Sequence, residues 1–168
     1  IQKALTEAIG EDVPLWWPPG IYRVDTSALT YNPLLADEDY ADHVQGKLNM
    51  FGAGRATQIY QNTPNVHLFD IGSNDRWVSN LMMSNFFLQT VAGTGSCLFL
   101  RRLTDCTFSN IWSSAWGKAA IDISKCLGNQ FGPIYCMENI GDGPLVRGSG
   151  TYGVYVRPAS ELGNSNAN

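Results

Sequence analysis

Two aspartates, Asp70 and Asp122, stand in the middle of short apolar triplets, Phe69-Asp70-Ile71 and Ile121-Asp122-Ile123. Two more triplets of the same form, Leu98-Phe99-Leu100 and Val154-Tyr155-Val156, carry an aromatic residue there. Inward apolar neighbours on a strand force the middle side chain outward. Stacked, the middle positions read Asp70, Phe99, Asp122, Tyr155, and two residues further on Gly72, Arg101, Ser124, Arg157. Such a face has the chemistry of a sugar groove. Rings pack on the apolar face of a pyranose, carboxylates and guanidinium groups bond its hydroxyls, and Arg also holds an acidic sugar's carboxylate.

Strands stacked at about 4.8 Å put Asp70 and Asp122, two layers apart, roughly 9 to 10 Å from one another. Inverting glycosidases hold their carboxyl pair about 6.5 to 9.5 Å apart and retaining ones about 5 to 5.5 Å. The spacing therefore leans toward inverting hydrolysis, with Asp70 and Asp122 as the acid and base pair. A lyase instead needs a base next to a uronate, with Arg101 or Arg157 neutralising its carboxylate. The plain alternative is that both aspartates are outward polar residues of a solvated sheet. Other carboxylates in connections are Asp75, Asp105, Glu138 and Asp142. Trp112, one residue past Ile111, points outward by alternation and joins Phe99, Arg101, Tyr155 and Arg157 as a candidate carbohydrate-binding residue. Of Trp16 and Trp17, one is expected to pack against Leu5 and Ile9 and the other to face a partner or solvent.

Composition narrows the classes. A net charge of −4 argues against a nucleic-acid surface, which needs clustered Lys and Arg. No apolar run approaches the length of a membrane span, so membrane insertion is not expected. The four cysteines, Cys97, Cys106, Cys126 and Cys136, lack C-x-x-C spacing and read as free buried thiols, which suit a reducing compartment. The acidic run 37–42 resembles a calcium loop, but Asp42 stands where that loop needs Gly and Leu48 where it needs Glu. Gly52 and Gly54 lack the third glycine of a dinucleotide fingerprint. His43 and His67 have no Cys or His nearby. No metal and no cofactor is expected.

The elements that position these residues repeat. The triplets are spaced about 29, 23 and 33 residues apart, a fixed unit with loops of variable length, which is the signature of a solenoid. Behind them lie Val78-Ser79-Asn80-Leu81, Phe108-Ser109-Asn110-Ile111 and Phe131-Gly132-Pro133-Ile134, read as equivalent corners. Asn tolerates the left-handed backbone of a corner, and stacked Asn amides bond along the stack. At the start, Ile1, Ala4, Leu5, Ala8 and Ile9 recur at helical spacing, with Gly10 as the stop. Pro18-Pro19-Gly20 then marks a turn between two strands. The helix, at about 1–10, is expected to cover the open first coil.

The helix, the Pro18-Pro19-Gly20-Ile21-Tyr22 turn, the Gly52-Ala53-Gly54 corner before Thr57-Gln58-Ile59 and the Asn-cornered coils resemble the pectin-lyase-like right-handed parallel β-helices, most of all bacteriophage tailspikes. The resemblance covers most of residues 1–157. It implies an all-β solenoid of one domain, with coils over about 13–157 and a polar end at 158–168. It implies a polysaccharide-directed protein that binds and depolymerises a bacterial surface polysaccharide as a glycosidase or lyase, and a homotrimer on the virion tail that folds in the host cytoplasm. The alternatives are a secreted bacterial lyase and a non-catalytic receptor-binding tail protein. About five coils with an uncapped end are expected to be unstable alone, so the chain reads as the N-terminal portion of a longer protein.

Overall fold

The computed structural model describes residues 1–25, 27–31, 43–45, 49–74, 76–91, 93–136 and 152–157. The acidic run 37–42, the carboxylates Asp75, Glu138 and Asp142, and the polar end 158–168 lie outside them. Helix α1 (Gln2–Glu11) precedes β1 (Leu15–Trp16), β2 (Gly20–Val24), β3 (Leu29–Tyr31), β4 (His43–Gln45), β5 (Asn49–Phe51) and β6 (Thr57–Gln61). Next come β7 (Phe69–Gly72), β8 (Trp77–Ser79), β9 (Met82–Thr90), β10 (Leu98–Arg101), β11 (Leu103–Thr104) and β12 (Thr107–Ala115). The last are β13 (Ala119–Ser124), β14 (Gln130–Phe131), β15 (Ile134–Cys136) and β16 (Tyr152–Val156). Among the described residues the chain is mostly strand, with one short α-helix and a single 3-10 turn at Gly54–Ala56, as in an all-β protein.

Every ladder among the described residues is parallel, and the strands sort into three sheets. The first sheet holds β1, β2, β5, β6, β9, β12, β14 and β15; the second runs β16-β13-β10-β7-β3; the third runs β11-β8-β4. From β7 onward the chain visits second, third and first sheet, then repeats the round with β10, β11 and β12. Parallel pairing demands such crossovers, and here the crossovers are themselves strands of the neighbouring sheets.

Side chains on the inner faces stack in columns. Phe69, Leu98 and Ile121 form one, Met83, Phe108 and Phe131 another, and Phe86, Ile111 and Ile134 a third. All but Phe131 and Ile134 are buried. Each fully buried Leu, Ile or Phe contributes about 1.5–3 kcal/mol relative to exposure, so the columns are the main source of cohesion.

The structure revises three local readings. Phe108-Ser109-Asn110-Ile111 pairs with Met83-Ser84-Asn85-Phe86, whereas Val78 and Ser79 pair with Leu103 and Thr104 in the third sheet. Two Ser-Asn pairs five residues apart made the sequence alignment slip by one corner. Asn85 and Asn110 bend β9 and β12 at φ of 65° and 57°, and the Asn110 amide donates to Asn85 Oδ1 at 2.6 Å. Helix α1 passes through Gly10 and stops at Asp12, whose φ is 55°, with the Val13 N–H bonding the Ala8 carbonyl. Among the cysteines, Cys97 and Cys106 are buried, but Cys136 is exposed; all four are free.

At the other end of the stack, the Gln2 side-chain amide bonds both the N–H and the carbonyl of Thr30, at 2.9 and 3.0 Å, and Leu5 is fully buried. The amide acts as one more rung on β3, an edge strand of the second sheet, so α1 covers that end. Trp17 is the buried member of its pair, edge-on to Tyr22 and Phe86, while Trp16 is exposed.

Candidate functional site

Parallel register sets Thr30, Asp70, Phe99, Asp122 and Tyr155 side by side on the outer face of the second sheet. Two residues on, Gly72, Arg101 and Ser124 are in register, and Arg157 follows β16 with its backbone N–H on the Ile123 carbonyl. The structure thus brings together six of the seven sequence candidates. Trp112 lies elsewhere, on the first sheet, stacked on Tyr135 at 5.0 Å and 10°.

The charges pair between layers. Arg101 Nε and Nη2 donate to one Asp70 oxygen at 2.9 and 2.7 Å, and Nη1 donates to the Asn74 side chain. Arg157 repeats this on Asp122, with Nε and Nη2 each donating to a separate oxygen at 2.8 Å. Lys118 Nζ stands 3.5 Å from the second of those oxygens. A methyl group at Gly72, where φ is +111°, would overlap the Arg101 backbone carbonyl, so glycine lets these two strands approach in register.

Both aspartates leave the sheet on its outer side, as alternation requires. Asp70 keeps 23% of its side chain exposed, but Asp122 is 0% exposed, closed over by Arg157 and Lys118. A carboxylate removed from water needs such partners, because its uncompensated burial costs several kcal/mol. A general acid must also meet the glycosidic oxygen that it protonates. Asp70 and Asp122 are placed as two ion-paired carboxylates rather than as an open acid and base.

The rings are occupied as well. His67 stacks on Phe99 at 4.4 Å and 21°, and the Arg101 and Arg157 guanidinium carbons lie 5.2 and 4.7 Å from the same ring centre. Lys118 Nζ lies 4.2 Å from the Tyr155 ring centre. On the first sheet, the near-parallel rings of Trp112 and Tyr135 face one another. These rings hold cations and each other in place, which is a different use from stacking on a sugar.

Sequence reasoning missed two members of this cluster. Lys118 has an even spacing from Asp122, so alternation puts both on one face. His67 shares its layer with Phe69, and the Ser96 N–H donates to its Nδ1 at 3.0 Å, which leaves the proton on Nε2. Burial holds the imidazole below its ordinary 6.5, while the charges of Asp70 and Asp122 act to raise it. Among the described residues, three cations, Arg101, Lys118 and Arg157, surround two carboxylates, a local surplus of one positive charge on a chain of net charge −4.

Among the described residues no three His, Cys, Asp or Glu side chains gather to hold a metal ion, and no helix is long and apolar enough to cross a membrane. No family model, curated protein or solved structure matches the chain.

Proposed function

We propose that this chain is part of a right-handed parallel β-helix, similar to phage tailspikes, that binds a bacterial surface polysaccharide along the outer face of its second sheet. The repeated passage through three parallel sheets supports the solenoid reading. The observation that carries the function is the surplus of cations on one outer face, with Arg101, Arg157 and Lys118 keeping 18%, 22% and 28% of their side chains exposed. Their remaining N–H groups bond the hydroxyls and carboxylates of an acidic glycan. Phe99 and Tyr155 position these cations.

In this reading Asp70 and Asp122 hold the binding cations, and cleavage of the glycan is not their task. The burial of Asp122 favours receptor binding over hydrolysis at this face. A homotrimer on a virion tail accompanies the resemblance to tailspikes, and a secreted monomeric lyase is the competing assembly, separated by sedimentation.

The test is incubation with acidic and neutral capsular and O-antigen polysaccharides, following binding, new reducing ends and the ultraviolet absorbance of unsaturated uronates. Binding of an acidic polysaccharide that drops at least about tenfold, or 1.4 kcal/mol, in the Arg101→Met, Lys118→Met double variant supports the reading. Absence of binding across the panel, or binding that the double variant retains, refutes it. Reducing ends abolished by Asp122→Asn without loss of stability would restore the hydrolase.

A further inference from the structure

The second and third sheets meet at a corner where the backbone is left-handed in two consecutive layers. Arg102 has φ of 47° and Lys125 φ of 53°, and the Arg102 N–H donates to the Ser124 carbonyl, which places Lys125 one layer beyond Arg102. Every other described residue with φ in this region is Asn, Asp or Gly. Glycine lacks the Cβ that crowds the carbonyl there, and the short polar side chains of Asn and Asp offset it with local hydrogen bonds; Arg and Lys have neither advantage. Placed at one corner, about 4.8 Å apart along the stack, the two charges also repel each other. Asn at both positions would serve the fold better, so the bases answer to something other than the fold.

The corner turns them outward. Leu100 and Leu103 are fully buried on either side of Arg101 and Arg102, and both arginines are partly exposed. The two differ in what they hold. Arg101 Nε and Nη2 grip Asp70, whereas Arg102 pairs with no carboxylate among the described residues. Asp105, three residues on, accepts from the Thr104 hydroxyl. An unclaimed guanidinium binds a planar carboxylate through two parallel N–H···O bonds. Lys125 adds a second positive charge one layer on. A chain of net charge −4 with bases in only two layers of this corner lacks the basic stripe that a nucleic acid needs. Carboxylates spaced along a sugar polymer ask for less.

We propose that Arg102 and Lys125 form an anion subsite at this corner, which holds the carboxylate of a uronic acid residue in an acidic glycan. The subsite lies beside the Arg101 column and takes its ligand class from the glycan reading, on which it rests. Arg101, bound to Asp70, shares its charge with the polymer, whereas Arg102 gives its whole charge to one sugar.

The experiment uses the Arg102→Asn, Lys125→Asn double variant, which restores a residue type that the other left-handed positions use, and titrates it with a uronic acid oligomer and with a neutral dextran of the same length. Expected is an affinity for the uronic acid oligomer at least about tenfold below the parent's, with the urea midpoint at or above the parent's and dextran binding unchanged. Stability and binding then move in opposite directions, which a structural role for the two bases does not produce. A lowered urea midpoint assigns the bases to the fold and overturns the proposal, as does a loss of affinity below about tenfold or an equal loss for dextran. The Arg101→Met, Lys118→Met variant separates this from the glycan reading. If it loses the oligomer while the corner variant keeps it, the subsite falls and the reading stands. If it keeps the oligomer while the corner variant loses it, the reading's arginine face falls and the corner stands. A parent that binds neither oligomer overturns both.

Discussion

Replacing Asp122 by Asn separates a structural carboxylate from a catalytic one. Asn is nearly isosteric, so the packing survives, but one of the two oxygens that Arg157 donates to at 2.8 Å becomes an amide N–H₂ pointing at a donor. The loss is one hydrogen bond between charged groups, about 1.5–3 kcal/mol. Arg157 and Lys118 are 22% and 28% exposed and regain water, which keeps the cost below that of stranding a buried charge. In a domain of this size 1 kcal/mol moves Tm by about 2–4 °C, so Asp122→Asn should lower Tm by roughly 3–12 °C. Asp70→Asn, at a site with 23% exposure, should cost only about 0.5–1 kcal/mol. Thermal unfolding followed by circular dichroism measures both. A double-mutant cycle with Arg157→Met should show at least about 1 kcal/mol of coupling. An Asp122→Asn protein that melts within about 1 °C of its parent would refute the ion-pair argument.

Three further outcomes follow from the same geometry. His67 is neutral in the fold with its ionisation held below 6.5, so the unfolded chain takes up the extra proton as pH falls through 6.5. Stability present in full above that value is lost toward the folded value, and His67→Asn, which keeps an acceptor for the Ser96 N–H, should flatten this slope in urea midpoints taken between pH 5 and 8. Asn110→Gly keeps the left-handed corner at φ 57° but loses the bond to Asn85, and should cost about 1 kcal/mol. Asn110→Ala loses both and should cost roughly 1–2 kcal/mol more by the same denaturant titration. Burial pushes the Cys97 thiol up to about 12 and the Cys106 thiol up to about 11, so neither should react with a thiol reagent at neutral pH until urea unfolds the chain.

The triplets were legible because an apolar, variable, apolar strand has a period of two and little freedom to slip. Their register came out as Asp70, Phe99, Asp122 and Tyr155 in one column. The corners were legible as left-handed Asn positions but not as equivalences, since Ser79-Asn80 and Ser84-Asn85 offer the same local signal in different sheets. Which outward residues stay open was not legible at all. Outward direction follows from alternation, whereas exposure depends on how far a long side chain in the next layer reaches back. Arg157 covers Asp122 from thirty-five residues away, and His67 reaches Phe99 from a connection. Local pattern carries no information about either.

Inter-layer pairing also shapes how such a face meets a polymer. Each guanidinium is already bound to an aspartate, so an incoming carboxylate shares a cation rather than claiming one, and a single contact is weak and screened within a Debye length of about 8 Å at physiological salt. Arg101 and Arg157 stand two layers apart, which at about 4.8 Å per layer is roughly 9.6 Å along the stack. On the proposed reading a glycan lying along the stack meets this weak contact twice, and the second contact gains from the effective concentration set by the first. The paired aspartates then have a second role: they tether the two guanidinium groups, so that less side-chain entropy is lost when the polymer binds. Removing one of the two, as in Arg101→Met, should accordingly weaken glycan binding and reduce the affinity lost per decade of salt. Affinity measured across a salt series on the parent and on this variant tests this. Equal salt slopes would place the polymer's contacts away from the arginine column.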